Sequence, residues 1–281
     1  MSALVHSLNL ARAAGCFCIL FLFTAVVPSM AWAETVRLLA AGSLRAALTE
    51  AGHALKAKSG NAIKIEAEFA ASGLLRERIE KGEPVHVFAS ADVGHPTKLW
   101  TGGFARSKAA IFARNQLCAL GREGLAITAG TLLQTMLDER VRVGISTPMA
   151  DPSGDYAMAL FAKAEALQPG ARAKLERKAL QLTGGPDSQK APAGRNQYGW
   201  VMASGKADVF LTYCTNAILA GKDEPALQIV QVPPELTVGA DYGMIVLKDA
   251  PAAATQLAEF ILGPDGQAIL VKHGFGRGDG G

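Results

Sequence analysis

Short apolar runs alternate with stretches of helical period along most of the chain. Val36 to Ala41 reads as a first strand, after which Leu44, Ala47, Leu48, Ala51 and Leu55 recur at helical spacing, so a helix is predicted over 44–58. Ala62 to Phe69 alternates as a strand, Leu74 to Lys81 reads as a short helix, and Val85 to Ser90 as a third strand, with Gly82-Glu83-Pro84 as punctuation. Further strands are predicted at 115–120, 141–145, 207–213, 229–232 and 242–247. Helices are predicted near 131–137 and at 153–167, 196–204, 252–262 and 266–273, with a loop over 184–194. Strands alternating with helices predict an α/β fold built on a mainly parallel sheet.

The first 33 residues break this rhythm. Arg12 precedes an apolar run, Phe17 to Val27, that is shorter than a bilayer span, and Ala31-Trp32-Ala33 offers a small-residue cleavage site. A cleavable signal peptide over 1–33 is expected, and with it a periplasmic location. Arg12 is the one charged residue in that segment, so the remainder of this 281-residue chain stays close to neutral, as its 28 basic and 25 acidic residues require. Such a balance argues against a nucleic-acid partner. Cys16 and Cys18 lie in the signal, which leaves Cys118 and Cys214 for an oxidising compartment, either as one disulfide or as two buried thiols.

Three places share one design, in which an apolar strand ends in small residues and a helix begins at once. They are Ala40-Ala41-Gly42-Ser43, Ala70-Ala71-Ser72-Gly73 and the run from Pro148 to Gly154 that contains Ser153. Such a turn aims free backbone N–H groups and a positive helix end at one spot, and serine adds a neutral donor. Each serine taken alone reads first as an ordinary N-cap. Three at the carboxyl ends of strands favour an anion site instead. Hydrogen bonds to a charged partner contribute about 1.5–3 kcal/mol each, so about five to seven donors would suffice for micromolar capture without a lysine or arginine clamp. His53, His86, His95 and His273 show no metal-ligand spacing. Neither Ser43 nor Ser72 lies in G-x-S-x-G, which leaves a secreted serine hydrolase as the weaker alternative and no enzyme activity as the expectation.

Ala-Ala-Gly-Ser-Leu at 40–44, Ala-Ser-Gly-Leu-Leu at 71–75, Val-Phe-Ala-Ser-Ala-Asp at 87–92, Asp-Pro-Ser-Gly-Asp-Tyr-Ala at 151–157, Leu-Thr-Tyr at 211–213, Gly-Pro-Asp-Gly-Gln-Ala-Ile-Leu at 263–270 and Gly-Phe at 274–275 form an ordered set. Together they resemble the periplasmic molybdate-binding proteins that serve ATP-driven importers. The resemblance implies two α/β lobes, 34–113 with 217–281 and 114–216, closing on an oxyanion, with crossings near Ala113 and Asn216. It implies hydroxyl or N–H donors at Ser43, Ser72 and Ser153 and a phenol at Tyr213, although Tyr213 on its own residues reads equally as core. It also implies a backbone donor at Arg195 or Asn196, where the arginine side chain either reaches the anion or faces solvent. The implied ligand is molybdate or tungstate, with sulfate the nearest rival. The implied partners are a membrane ABC permease and its ATPase, with no cofactor and a monomeric state.

Overall fold

The computed structural model describes residues 33–279. The expected signal peptide therefore lies almost wholly outside the described residues. Among those residues no helix is long and apolar enough to cross a membrane.

The elements run β1 (Glu34–Ala41), α1 (Arg45–Lys58), β2 (Ile63–Ala70), α2 (Ser72–Glu80), β3 (Val87–Ala89), α3 (Gly94–Thr101), β4 (Ala110–Gly121), α4 (Leu132–Leu137), β5 (Val143–Ser146) and α5 (Pro152–Leu167). They continue with α6 (Ala171–Lys178), β6 (Leu180–Thr183), α7 (Gln197–Ala203), β7 (Val209–Tyr213), α8 (Cys214–Asp223), β8 (Gln228–Gln231), β9 (Gly239–Val246), α9 (Ala252–Leu262), α10 (Pro264–Lys272) and β10 (Gly276–Arg277). A 3-10 turn, Gly42–Leu44, leads into α1.

The strand order is β2-β1-β3-β9-β4-β7-β5-β6, with β8 and β10 also on β4. β1 pairs parallel with β2 and β3, and β5 pairs parallel with β6 and β7, so each half of the sheet is parallel at heart. The antiparallel strands β9 and β4 lie between them. Leu38 to Ala41 are all buried, as expected of a strand with helices on both faces, whereas edge strand β2 alternates Lys64, Glu66 and Glu68 outward.

β4 is one continuous strand that serves both halves. Its residues 110–116 pair with β9, and 117–121 pair with β7 and 118–121 with β8. The outward crossing falls within it, beside the expected Ala113. The return does not fall near Asn216. After Tyr213 the chain forms α8, which packs on β4, β7, β8 and α7, and then β8, which adds to the second half. The chain rejoins the first half only between Gln231 and Gly239. Residues 217–231 thus belong with the second half, because the apolar face of α8 (Ala217, Ala220) is buried against Cys118, Leu120 and Phe210.

Candidate functional site

The carboxyl ends of β1, β2 and β3 open into three turns, and the residues beyond them meet. Ser72 is fully buried, and its Oγ accepts from the N–H of Ala91 at 3.1 Å. The carbonyl of Ala91 accepts from the hydroxyl of Tyr213 at 3.0 Å, a contact from β7 in the second half to the turn after β3 in the first. The ring of Tyr213 stands edge-on to Tyr242 at 5.4 Å and to Tyr156 at 6.1 Å. Tyr242 in turn shares a hydrogen bond with Ser43 Oγ at 3.0 Å and accepts from Asn115 at 3.3 Å. Burial raises the phenols of Tyr213, Tyr242 and Tyr156, so all three stay protonated and able to donate at neutral pH.

The fourth element is the loop from β5 into α5. Met149 sits in the left-handed region at φ 67° and its N–H donates to Asp155 at 2.9 Å. This conformation turns the Met149 and Ala150 carbonyls toward the start of α2, where Gly73 donates its N–H to Ala150 at 2.8 Å. A Cβ on Gly73 would lie 2.2 Å from the Met149 carbonyl oxygen and 2.7 Å from that of Ala150, so only glycine permits this approach. Ser43, Ser72, Tyr213 and the turn bearing Ser153 are thereby joined by a chain of contacts across the two halves.

None of the three serines caps its helix. α1 and its 3-10 lead have no side-chain cap. The cap position of α2 is Ala71, and Ser72 is the first helical residue. For α5 the cap is Asp151, whose carboxylate accepts from Ser153 N–H at 3.0 Å. Burial pushes the Asp151 carboxyl up to about 6, with the Ser153 N–H acting in the opposite direction. The hydroxyl of Ser153, fully buried, has no hydrogen-bond partner at all. An orphaned buried hydroxyl costs about 1–3 kcal/mol and calls for an external partner.

Arg195 and Asn196 are not part of this cluster. The Arg195 side chain pairs with Asp223 at 3.1 Å and with Glu224, both at the end of α8, and its N–H bonds the Pro192 carbonyl. Asn196 donates its N–H to Asp223 at 3.2 Å, and its side chain caps α7 at Tyr198 and Gly199. The acids of α8 consume the donors that the sequence offers at this loop. The Arg195 side chain is exposed and spent on these two acids.

Cys118 and Cys214 form a disulfide with Cα atoms 4.8 Å apart. Cys118 lies opposite Thr212 in the β4–β7 ladder, which brings the first residue of α8 over it. The bridge holds the segment carrying Tyr213 to the continuous strand. Ser43 and Ser72 hydrogen-bond Tyr242 and Ala91, and among the described residues neither bonds a histidine. Among those residues no group of three or more His, Cys, Asp or Glu side chains is placed to hold a metal ion.

The family model described as bacterial extracellular solute-binding protein matches residues 36–276. The uncharacterized protein PM1146 of Pasteurella multocida (strain Pm70) is 35% identical over 242 residues, which is 85% of this chain and 98% of its own. The periplasmic molybdate-binding protein of Azotobacter vinelandii has the same fold, with a TM-score of 0.68 at 21% identity over 85% of this chain and 98% of its own. The sulfate-binding protein SubI of Mycobacterium tuberculosis H37Rv gives a TM-score of 0.68 at 17% identity, covering 86% of each chain. At these identities the solved structures speak to the fold, and the family model and the Pasteurella relative to kinship. The chain belongs to the bacterial extracellular solute-binding protein family.

Proposed function

We propose that this protein captures a tetrahedral oxyanion, molybdate or tungstate, between the two halves of its sheet and hands it to a membrane ABC permease with its ATPase. The observation that carries the reading is that Ser43, Ser72 and Ser153 all stand at strand-to-helix turns and none is spent as a cap. Ser72 keeps its own proton free while its oxygen accepts from Ala91, and Ser153 Oγ has no partner. Buried neutral donors at helix N-termini are the usual means of holding a desolvated anion. Delivery from outside the membrane fits the expected signal peptide over 1–33, and no cofactor enters this scheme.

Sulfate is the competing ligand, because a tetrahedral dianion of smaller size can use the same hydroxyls and the fold also occurs in a sulfate-binding protein. Titration calorimetry of the purified mature chain with molybdate, tungstate, sulfate and phosphate separates the two. Micromolar or tighter molybdate binding is expected, and tight sulfate binding beside weak molybdate would reassign the ligand.

A further inference from the structure

Only two buried side-chain polar atoms among the described residues lack a hydrogen-bond partner, Ser153 Oγ and His95 Nε2. They flank the same contact. Ser153 lies in the first turn of α5, directly after the loop whose Ala150 carbonyl receives Gly73 N–H from α2. Ser72 and Arg76 are one turn apart on α2 and so share a face. Arg76 Nε donates to His95 Nδ1 at 3.2 Å, which seats the imidazole on that face, one turn from Ser72. The backbone agrees, because His95 N–H donates to Asp92, the residue after Ala91, whose own N–H is bonded to Ser72.

The bond from Arg76 decides the tautomer. Nδ1 must offer its lone pair to Nε–H, so the proton of the neutral ring is on Nε2. Burial lowers the tendency of this imidazole to ionise, and the His95 side chain is only 7% exposed. The carboxylate of Asp92 stands 3.9 Å from Nε2, beyond hydrogen-bond reach. The charges facing the ring are Asp92 and Asp155 on one side of the balance and Arg76 and Lys98 on the other, so its surroundings are close to neutral. A buried N–H left over in an otherwise satisfied interior needs a partner from outside the chain.

We infer that His95 is a ligand-binding residue of the same pocket, donating Nε2–H to an oxygen of the captured anion opposite the hydroxyl of Ser153. This rests on the oxyanion reading and extends it: the ligand offers at least one acceptor on the α3 side, and Arg76 acts as the positioning residue that keeps Nε2 protonated.

Calorimetry with sodium molybdate, tungstate and sulfate on the wild type, His95→Leu, His95→Gln and Ser153→Ala tests it. His95→Leu should lose tenfold or more in affinity for the anion the wild type binds, and His95→Gln, which keeps an N–H donor, should stay within about threefold. Nitrogen-15 NMR of the imidazole supplies a readout that does not depend on the variants folding. Saturating anion should shift the His95 Nε2 and its proton while Nδ1 stays an acceptor. A folded His95→Leu with wild-type affinity, beside a weakened Ser153→Ala, overturns the His95 assignment alone, and so does an unmoved Nε2 resonance in the saturated protein. If the wild type takes up none of the three anions, the oxyanion reading fails and the assignment with it.

Discussion

Replacing Gly73 by alanine isolates the closing contact. The new methyl would sit 2.2 Å from the Met149 carbonyl oxygen, where an ordinary contact needs about 3.2 Å or more, so α2 and the 147–151 loop must part by about 1 Å. The neighbours at fault are backbone atoms, and Met149 is already held in the left-handed region by the bond from its N–H to Asp155, so rotamer relief is not available. Separation breaks the 2.8 Å bond from Gly73 to Ala150, worth about 0.5–1.5 kcal/mol, and moves the Ser72 and Ser153 hydroxyls apart. A ligand bridging both serines then loses at least one charge-assisted hydrogen bond, about 1.5–3 kcal/mol more. The sum corresponds to a loss of affinity of about thirtyfold or more. One buried apolar cluster runs through both halves and includes none of residues 147–151, so the unliganded melting temperature should fall by only a few degrees. Calorimetry and thermal unfolding of Gly73→Ala check both numbers. Affinity within twofold of wild type would show that closure through this contact is not part of capture.

Ser153→Ala removes a hydroxyl that bonds nothing in the chain, so stability should hold or rise slightly in a denaturant melt while oxyanion affinity falls tenfold or more. Asp151→Asn keeps an equally good cap on α5 and removes a carboxylate that, with its pKa near 6, is charged at pH 7, so oxyanion affinity should increase, and weaker binding by calorimetry would count against an anion at this turn. Asp208 is held down to about 2, first by Arg142 and also by Arg122; a depressed carboxylate stabilises above its unfolded value near 4 and that contribution is lost as pH falls from 4 toward 2. With both arginine side chains half exposed the contribution is about 1–2 kcal/mol, and the gap in urea midpoint between wild type and Asp208→Asn should close over that window. Replacing Cys118 and Cys214 together by serine opens a link across 96 residues, worth up to about 4–5 kcal/mol in the chain-entropy model, and should lower the melting temperature far more than Ser153→Ala does.

Strand-and-helix alternation was legible where the period is clean, as in β1 with α1 and β2 with α2. It failed at α3, where Gly94 and Pro96 interrupt the helical pattern, and that is the element carrying His95. The three serine turns could be located because small residues after an apolar strand have few other uses. What could not be read was which side chain caps the helix. Asp151 and Ser153 are both good caps two residues apart, and only the backbone path of the 147–151 loop decides for the aspartate. Tyr242 escaped notice because its partner, Ser43, is 199 residues away, and no local pattern marks such a contact. The resemblance implied a donor at Arg195 or Asn196, and the helix that brings up the ion-pair partners of Arg195, α8, was not foreseen. The same omission put the return crossing near Asn216.

The most direct measurement is a crystal structure of the mature protein grown with tungstate, using anomalous scattering from tungsten to locate the anion. A single strong peak with its oxygens within hydrogen-bond reach of Ser72 and Ser153 is the predicted result. Density for the anion elsewhere, or none at saturating tungstate in a protein that binds it in solution, would contradict capture by these hydroxyls.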